Sequence, residues 1–131
     1  MSHDEIARVV VECPYELHKE LGPGLLESVY EVLMADALRS RGLSVERQKP
    51  IPVLFRGKRF DEGFRADLLI EDLVLVELKS VEILARVHRK QVLTYLRLAN
   101  LQLGLLINFG GELLKGNIER LANGLEEPPS F

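Results

Sequence analysis

The sequence predicts an α/β fold of the α+β kind: a mixed central sheet flanked by helices, in the order helix, helix, three or four strands, helix, strand. Three observations carry this. Apolar residues recur at helical spacing as far as Gly42, and from Leu43 to Ser80 the period falls to near two, with turn residues at "RGK" and "DEG". Helical spacing then returns over 84–99, and the apolar run "LQLGLLINF" follows it up to the Gly110–Gly111 turn. A strand that follows a helix in this way can join the sheet parallel to its predecessor through the crossover.

The first helix is expected to run to about Glu20, opened by a capping box of Ser2 and Glu5, with Ile6, Val9, Val10, Cys13 and Leu17 on its apolar stripe. Pro14 lies in its interior, where a missing donor and a ring clash predict a kink. "LGPG" at 21–24 breaks the chain. The second helix then carries Leu26, Val29, Tyr30, Leu33, Ala37 and Leu38 on one stripe and stops at Gly42. In the strand region, Pro50 and Pro52 confine the first strand to a sheet edge or a bulge. The third helix places Leu84, Val87, Val92, Leu96 and Ala99 inward, and the tail 125–131, "LEEPPSF", is expected to be loose.

A chain of 131 residues is long enough to bury a core without disulfides or a structural metal, so a single domain over 1–131 is expected. The single Cys13 reads as a small buried hydrophobe and fits a reducing cytoplasm. The acidic start "MSHDEIARVV" and the lack of a long apolar run argue against secretion and membrane insertion. A net charge of −3 argues against coating nucleic acid by bulk attraction. The distribution is uneven, however. Eight acids face Arg8 and Lys19 between Asp4 and Asp36, whereas Arg39, Arg41, Arg47, Lys49, Arg56, Lys58, Arg59 and Arg65 meet only Glu46, Asp61 and Glu62. A second basic group, Arg86, His88, Arg89, Lys90 and Arg97, contains no acid. Either group could be a solvated face or a phosphate-binding surface.

The chemistry concentrates in "FRADLLIEDLVLVELKS", 64–80, where Asp67, Glu77 and Lys79 interrupt runs that otherwise read as buried strand. Glu77 and Lys79, two apart, share a face. A two-residue loop of Glu71 and Asp72 would set Asp67 against Val76, on the apolar side. A three-residue loop, Glu71 to Leu73, pairs Ile70 with Val74 and Leu68 with Val76, and sets Asp67 opposite Glu77. The second register puts the branched aliphatics on one side, so the odd loop is predicted. Two carboxylates then stand about 4.5–5.5 Å apart between Cβ atoms and need a proton or a cation between them. With the Leu78 carbonyl and waters they form the oxygen set that magnesium favours, and Lys79 beside them could serve an attacking water on a phosphodiester. Taken alone, an acid-x-Lys on a strand is more often a half-exposed salt bridge. His3, His18 and His88 have no ligand spacing and are read as surface residues.

"RADLLIEDLVLVELKS" resembles the core motif of the PD-(D/E)XK nuclease superfamily, and "GLLESVY", through Gly24, Glu27 and Tyr30, resembles the GxxExxY signature of a small family within it. "QVLTYLRL" is similar, through Gln91 and Tyr95, to the Gln-x-x-x-Tyr helix motif of the superfamily's exonuclease branch. Ala66 stands where the superfamily often has Pro. The resemblance spans about 20–108 and implies a restriction-endonuclease-like fold. It also implies Asp67 and Glu77 as ligands of Mg2+ or Mn2+, Lys79 on the hydrolytic water, and Glu27 as a direct or water-mediated ligand. Gln91 and Tyr95 are implied to contact phosphate or brace Lys79. For the other two named positions the expectations are structural: packing for Tyr30 and backbone freedom for Gly24.

The function expected is a divalent-metal-dependent phosphodiester hydrolase acting on nucleic acid, with DNA as substrate, guided by the basic groups of Arg39–Arg65 and Arg86–Arg97. The alternatives are a nuclease-fold domain that binds nucleic acid or a protein without cutting, and a small assembly protein that dimerises through its apolar helix faces.

Overall fold

The computed structural model of the chain describes residues 1–125. Two helices, α1 (His3–Leu21) and α2 (Glu27–Ser40), precede strands β1 (Val45–Phe55), β2 (Lys58–Ile70) and β3 (Val74–Lys79). Helix α3 (Arg86–Ala99) leads to β4 (Leu103–Asn108) and β5 (Ile118–Ala122). The strands form one sheet in chain order, with β3 and β4 parallel and every other pair antiparallel. This is the restriction-endonuclease-like mixed sheet expected, with three strands in the antiparallel region and the crossover through α3 as predicted.

Local chemistry explains most of these elements. Ser2 and Glu5 close the capping box on α1, which runs on through Pro14 as one helix. β1 lies at the sheet edge, and Pro52 falls where its pairing with β2 shifts register, between Ile51 and Val53. The edge position and the irregularity expected of Pro50 and Pro52 are both present. Gly24 has an ordinary φ and open space around its α-carbon, whereas Gly22 takes the left-handed φ of 73° that ends α1. The freedom assigned to Gly24 is therefore needed two residues earlier.

The helices pack on opposite faces of the sheet. On one, Ile6, Val10 and Cys13 of α1 and Tyr30, Met34 and Leu38 of α2 cover Leu68, Ile70, Val74, Val76, Leu78 and the odd-numbered residues of β4. On the other, Val92 and Leu96 of α3 cover Ile51, Ala66, Leu75 and Leu106. Each fully buried aliphatic side chain contributes about 1.5–3 kcal/mol. A Cβ at Gly104 would lie 2.9 Å from Val92 Cγ1, so the missing side chain lets α3 approach β4.

Two apolar stripes differ in detail from the expectation. α2 is rotated, so that Met34 and Ala35 are buried while Leu26 and Val29 are exposed, and on α3 Val87 is exposed. β5 was not anticipated. Its residues are all half-buried and its alternation is weak, so it carries little strand signal. Of the tail expected to be loose, only Leu125 is described, and it packs against the core; the rest lies outside the described residues. No helix among the described residues is long and apolar enough to cross a membrane.

Candidate active site

The β2–β3 turn is the three-residue loop Glu71–Leu73. Glu71 and Asp72 take left-handed φ of 53° and 55°, and Leu73 N–H donates to Ile70 O at 2.9 Å. Ile70 pairs with Val74, Leu69 with Leu75 and Leu68 with Val76, which brings Asp67 level with Glu77. There the ladder stops and side chains take over from backbone. Asp67 N–H donates to Glu77 Oε1 at 3.0 Å, and Leu78 N–H donates to Asp67 Oδ2 at 2.8 Å. Each carboxyl group fills the place of a backbone acceptor, so the two strands part without stranding a donor.

A change of face causes this parting. Ala66 packs on the α3 side, but Leu68 and Ile70 pack on the α1–α2 side, so β2 breaks its alternation at Asp67. β1 does the same at the facing residue. Val45 lies on the α1–α2 side, Ile51 on the α3 side, and Gln48 between them takes a left-handed φ of 52°. For a residue other than Gly that conformation costs about 1–3 kcal/mol. Gln48 Nε2 donates to Glu31 Oε1 at 2.5 Å and to Asp67 Oδ1 at 3.3 Å, tying α2 to the site.

Burial dominates the electrostatics. Desolvation first and the Asp67 charge second push the Glu77 carboxyl up to about 8. Burial also raises Asp67, opposed by the Leu78 N–H and reinforced by the charge of Glu31. Buried side by side, the two carboxyl groups disfavour a second negative charge, so near neutral pH the Glu77 carboxyl favours its protonated form. Lys79, half-buried, has no ion-pair partner within 4 Å among the described residues, so the salt bridge a lone acid-x-Lys would make is not formed.

The residues around Lys79 are fixed from both sides. Ser80 N–H donates to Glu27 Oε1 at 3.1 Å and Ser80 Oγ donates to Leu25 O at 3.0 Å. Tyr30 stacks on Phe109 at 4.1 Å between ring centroids; its hydroxyl donates to Gly22 O and accepts from Leu25 N–H. Asn108, fully buried and paired with Lys79 across β3–β4, accepts from Val81 N–H and donates to Val81 O. A cleft of about 370 Å3 opens here, lined by Leu25, Leu26, Glu27, Ser28 and Ser80.

The structure thus gathers Asp67, Glu77 and the Leu78 backbone at one point. Lys79 O bonds to Phe109 N–H on the β4 side, so alternation turns the backbone groups of Leu78 toward β2. Glu27 is occupied at Ser80, and the α2 acid whose charge bears on Asp67 is Glu31, one turn further on. Tyr95 stacks on Phe64 at 3.5 Å, and burial, with added contributions from Glu77 and Asp67, raises its hydroxyl pKa. Gln91 is exposed and makes no hydrogen bond to Lys79 among the described residues. His18 is no free surface residue, since its Nε2 lies 2.9 Å from Gly111 O, and His88 Nδ1 accepts from Ala85 N–H at the start of α3.

Much of the expected basic surface is neutralised. Arg41 pairs with Glu12 and Glu16, Arg47 with Glu31, Lys49 with Glu46, Arg59 with Asp61 and Arg89 with Glu119. Glu31, Gln48 and Asn108 are the site residues that sequence reading missed. Glu31 had a signal, being one turn from Glu27 on a helix, while nothing in "RQKP" marks a left-handed glutamine.

As donors, Asp67 and Glu77 suit a hard divalent cation: they are oxygen ligands only, buried together, and their mutual repulsion is what a cation would offset. No group of three or more His, Cys, Asp or Glu side chains is gathered to hold a metal among the described residues, so two is the number of carboxylates the site supplies. No curated protein and no solved structure matches the chain. A family model described as the PD-(D/E)XK nuclease superfamily matches residues 4–121, nearly the whole described chain. With its Asp67, Glu77 and Lys79 on neighbouring strands of a mixed sheet, the chain belongs to the PD-(D/E)XK nuclease superfamily.

Proposed function

We propose that this chain is a divalent-metal-dependent phosphodiester hydrolase acting on nucleic acid, with DNA as its substrate, and that within the superfamily it is a GxxExxY protein. The observation that carries the reading is the interlocked pair of Asp67 and Glu77 beside an ammonium, Lys79, that makes no ion pair within 4 Å among the described residues. Asp67 and Glu77, with the Leu78 carbonyl, would hold Mg2+ or Mn2+. When bound, such an ion supplies positive charge against the phosphate and acidifies water.

Lys79 shares the Glu77 side of β3 and serves as the group that orients the attacking water and offsets charge building on the phosphoryl oxygens. Ser80, clamped by Glu27 and Leu25, fixes the chain next to Lys79, so Glu27 and Tyr30 act as positioning residues. Gln48 sets the Asp67 carboxylate from the other side.

A second reading is favoured by one observation: each carboxyl group already accepts a backbone N–H, so the pair can serve as a structural staple. In that case the domain binds nucleic acid without cutting it. A panel of single- and double-stranded DNA and RNA, with Mg2+, Mn2+ or chelator, distinguishes the two. Metal-dependent cleavage that is lost in Lys79→Ala and Asp67→Ala is expected. Binding without cleavage under every condition would select the second reading.

A further inference from the structure

We propose that the β1–β2 hairpin carries an aromatic track for unpaired bases, so that the favoured substrate is a single strand or a frayed end. This rests on the reading that the chain acts on nucleic acid, and it names the substrate class.

β2 pairs with β3 only over Leu68–Ile70, so residues 58–66 of β2 and their β1 partners extend past the sheet as a two-stranded arm. Val53 faces Phe60 and Phe55 faces Lys58, which places these four side chains on one face of the arm. Ile51, the last rung of β1 before the shift at Pro52, packs on the α3 side, the side of Leu75 and therefore of Glu77 and Lys79, and Val53 and Phe55 follow it outward along the arm.

On that side Tyr95 and Phe64 stack, and Phe60 and Phe55 stand further out along the same arm, 42% and 57% exposed. Gly63 permits the irregularity between Phe64 and Phe60, since a Cβ there would meet Ile51 O at 2.0 Å. From Gln48 to Phe55 the arm spans about 23 Å at roughly 3.3 Å per residue, enough for several nucleotides.

The exposed rings come with the right charge. Lys58 lies on the same face and has no ion-pair partner among the described residues, and the Arg56 guanidinium sits 5.1 Å from the centre of the Phe55 ring. Arg59, on the opposite face, is neutralised by Asp61. Rings beside unneutralised cations suit a strand whose bases are free to stack and whose phosphates run alongside, whereas a duplex hides the base faces.

The test uses the full chain in chelator, with a fluorescent oligothymidine and a matched duplex as probes, read by anisotropy. Wild type should prefer the single strand. Phe55→Ala/Phe60→Ala should weaken single-strand binding roughly tenfold or more and leave duplex binding little changed, while Phe55→Trp/Phe60→Trp keeps it. Hydrolysis of methyl p-nitrophenyl phosphate with Mn2+ should be unaffected in both variants, because that diester has no base.

Unchanged single-strand affinity in the alanine variant would overturn the track, with small-diester hydrolysis still standing for the nuclease reading. Loss of small-diester hydrolysis in wild type would instead sink that reading itself. A dimer that becomes monomeric in the alanine variant, seen by sedimentation, would make the arm a self-association surface and likewise overturn the track.

Discussion

β3 has two unlike edges. Toward β4 it forms six consecutive parallel pairs, Val74–Lys79 against Leu103–Asn108. Toward β2 it forms three, after which Asp67 and Glu77 exchange hydrogen bonds with the backbone. Residues 74–78 are buried throughout, so exposure does not explain the difference. The cause is the turn of face at Asp67 and Gln48, which separates β2 from β3 just far enough for carboxyl groups to stand in for backbone carbonyls. A strand edge can therefore house charge at the core's margin without leaving a donor unsatisfied, at the cost of a strained partner and a retained proton.

The widest separation of the two edges should come from removing Lys79. Lys79→Ala should cut metal-dependent DNA cleavage by about 10²–10³-fold or more in a steady-state assay, while its thermal unfolding stays close to wild type. The β4 edge should respond in the opposite sense. Leu105→Ala, at a fully buried rung, should cost roughly 2–5 kcal/mol in denaturant unfolding.

Glu77 gives a pH test of the open edge. Unfolded, it ionises near its ordinary 4.5; folded, only near 8. Between those values the native state keeps a proton that the unfolded state has lost, so this contribution to stability falls as pH rises through that window, by the order of a few kcal/mol. Glu77→Gln should flatten that slope in melts taken across pH and be more stable than wild type at neutral pH. The smallest effect belongs to Glu27→Ala, which should cost about 0.5–1.5 kcal/mol through the lost Ser80 contact, with a fall in kcat and little change in KM.

The regular edge was legible in sequence because "LVLVELKS" and "LQLGLLINF" carry apolar runs bounded by turns. The odd loop followed from requiring the aliphatics of 68–78 to share a face, and with it the meeting of Asp67 and Glu77. The face change was not legible, because a left-handed Gln48 has no composition cue and is imposed by contacts from Glu31 and Asp67. Charge bookkeeping along the chain overstated the basic surface for a related reason. Arg41, Arg47 and Arg89 find their acids 16 to 30 residues away, beyond the reach of a local count.

The ring of contacts that joins Tyr30, Gly22, Leu25, Ser80 and Glu27 makes no demand on metal or phosphate. A search keyed on Gly-x-x-Glu-x-x-Tyr accordingly retrieves a way of bracing a strand terminus, and it will find chains so built whether or not they can still break a bond. Sorting cutters from non-cutters among such hits calls for reading positions 67, 77 and 79 together, not the signature by which the hits were found.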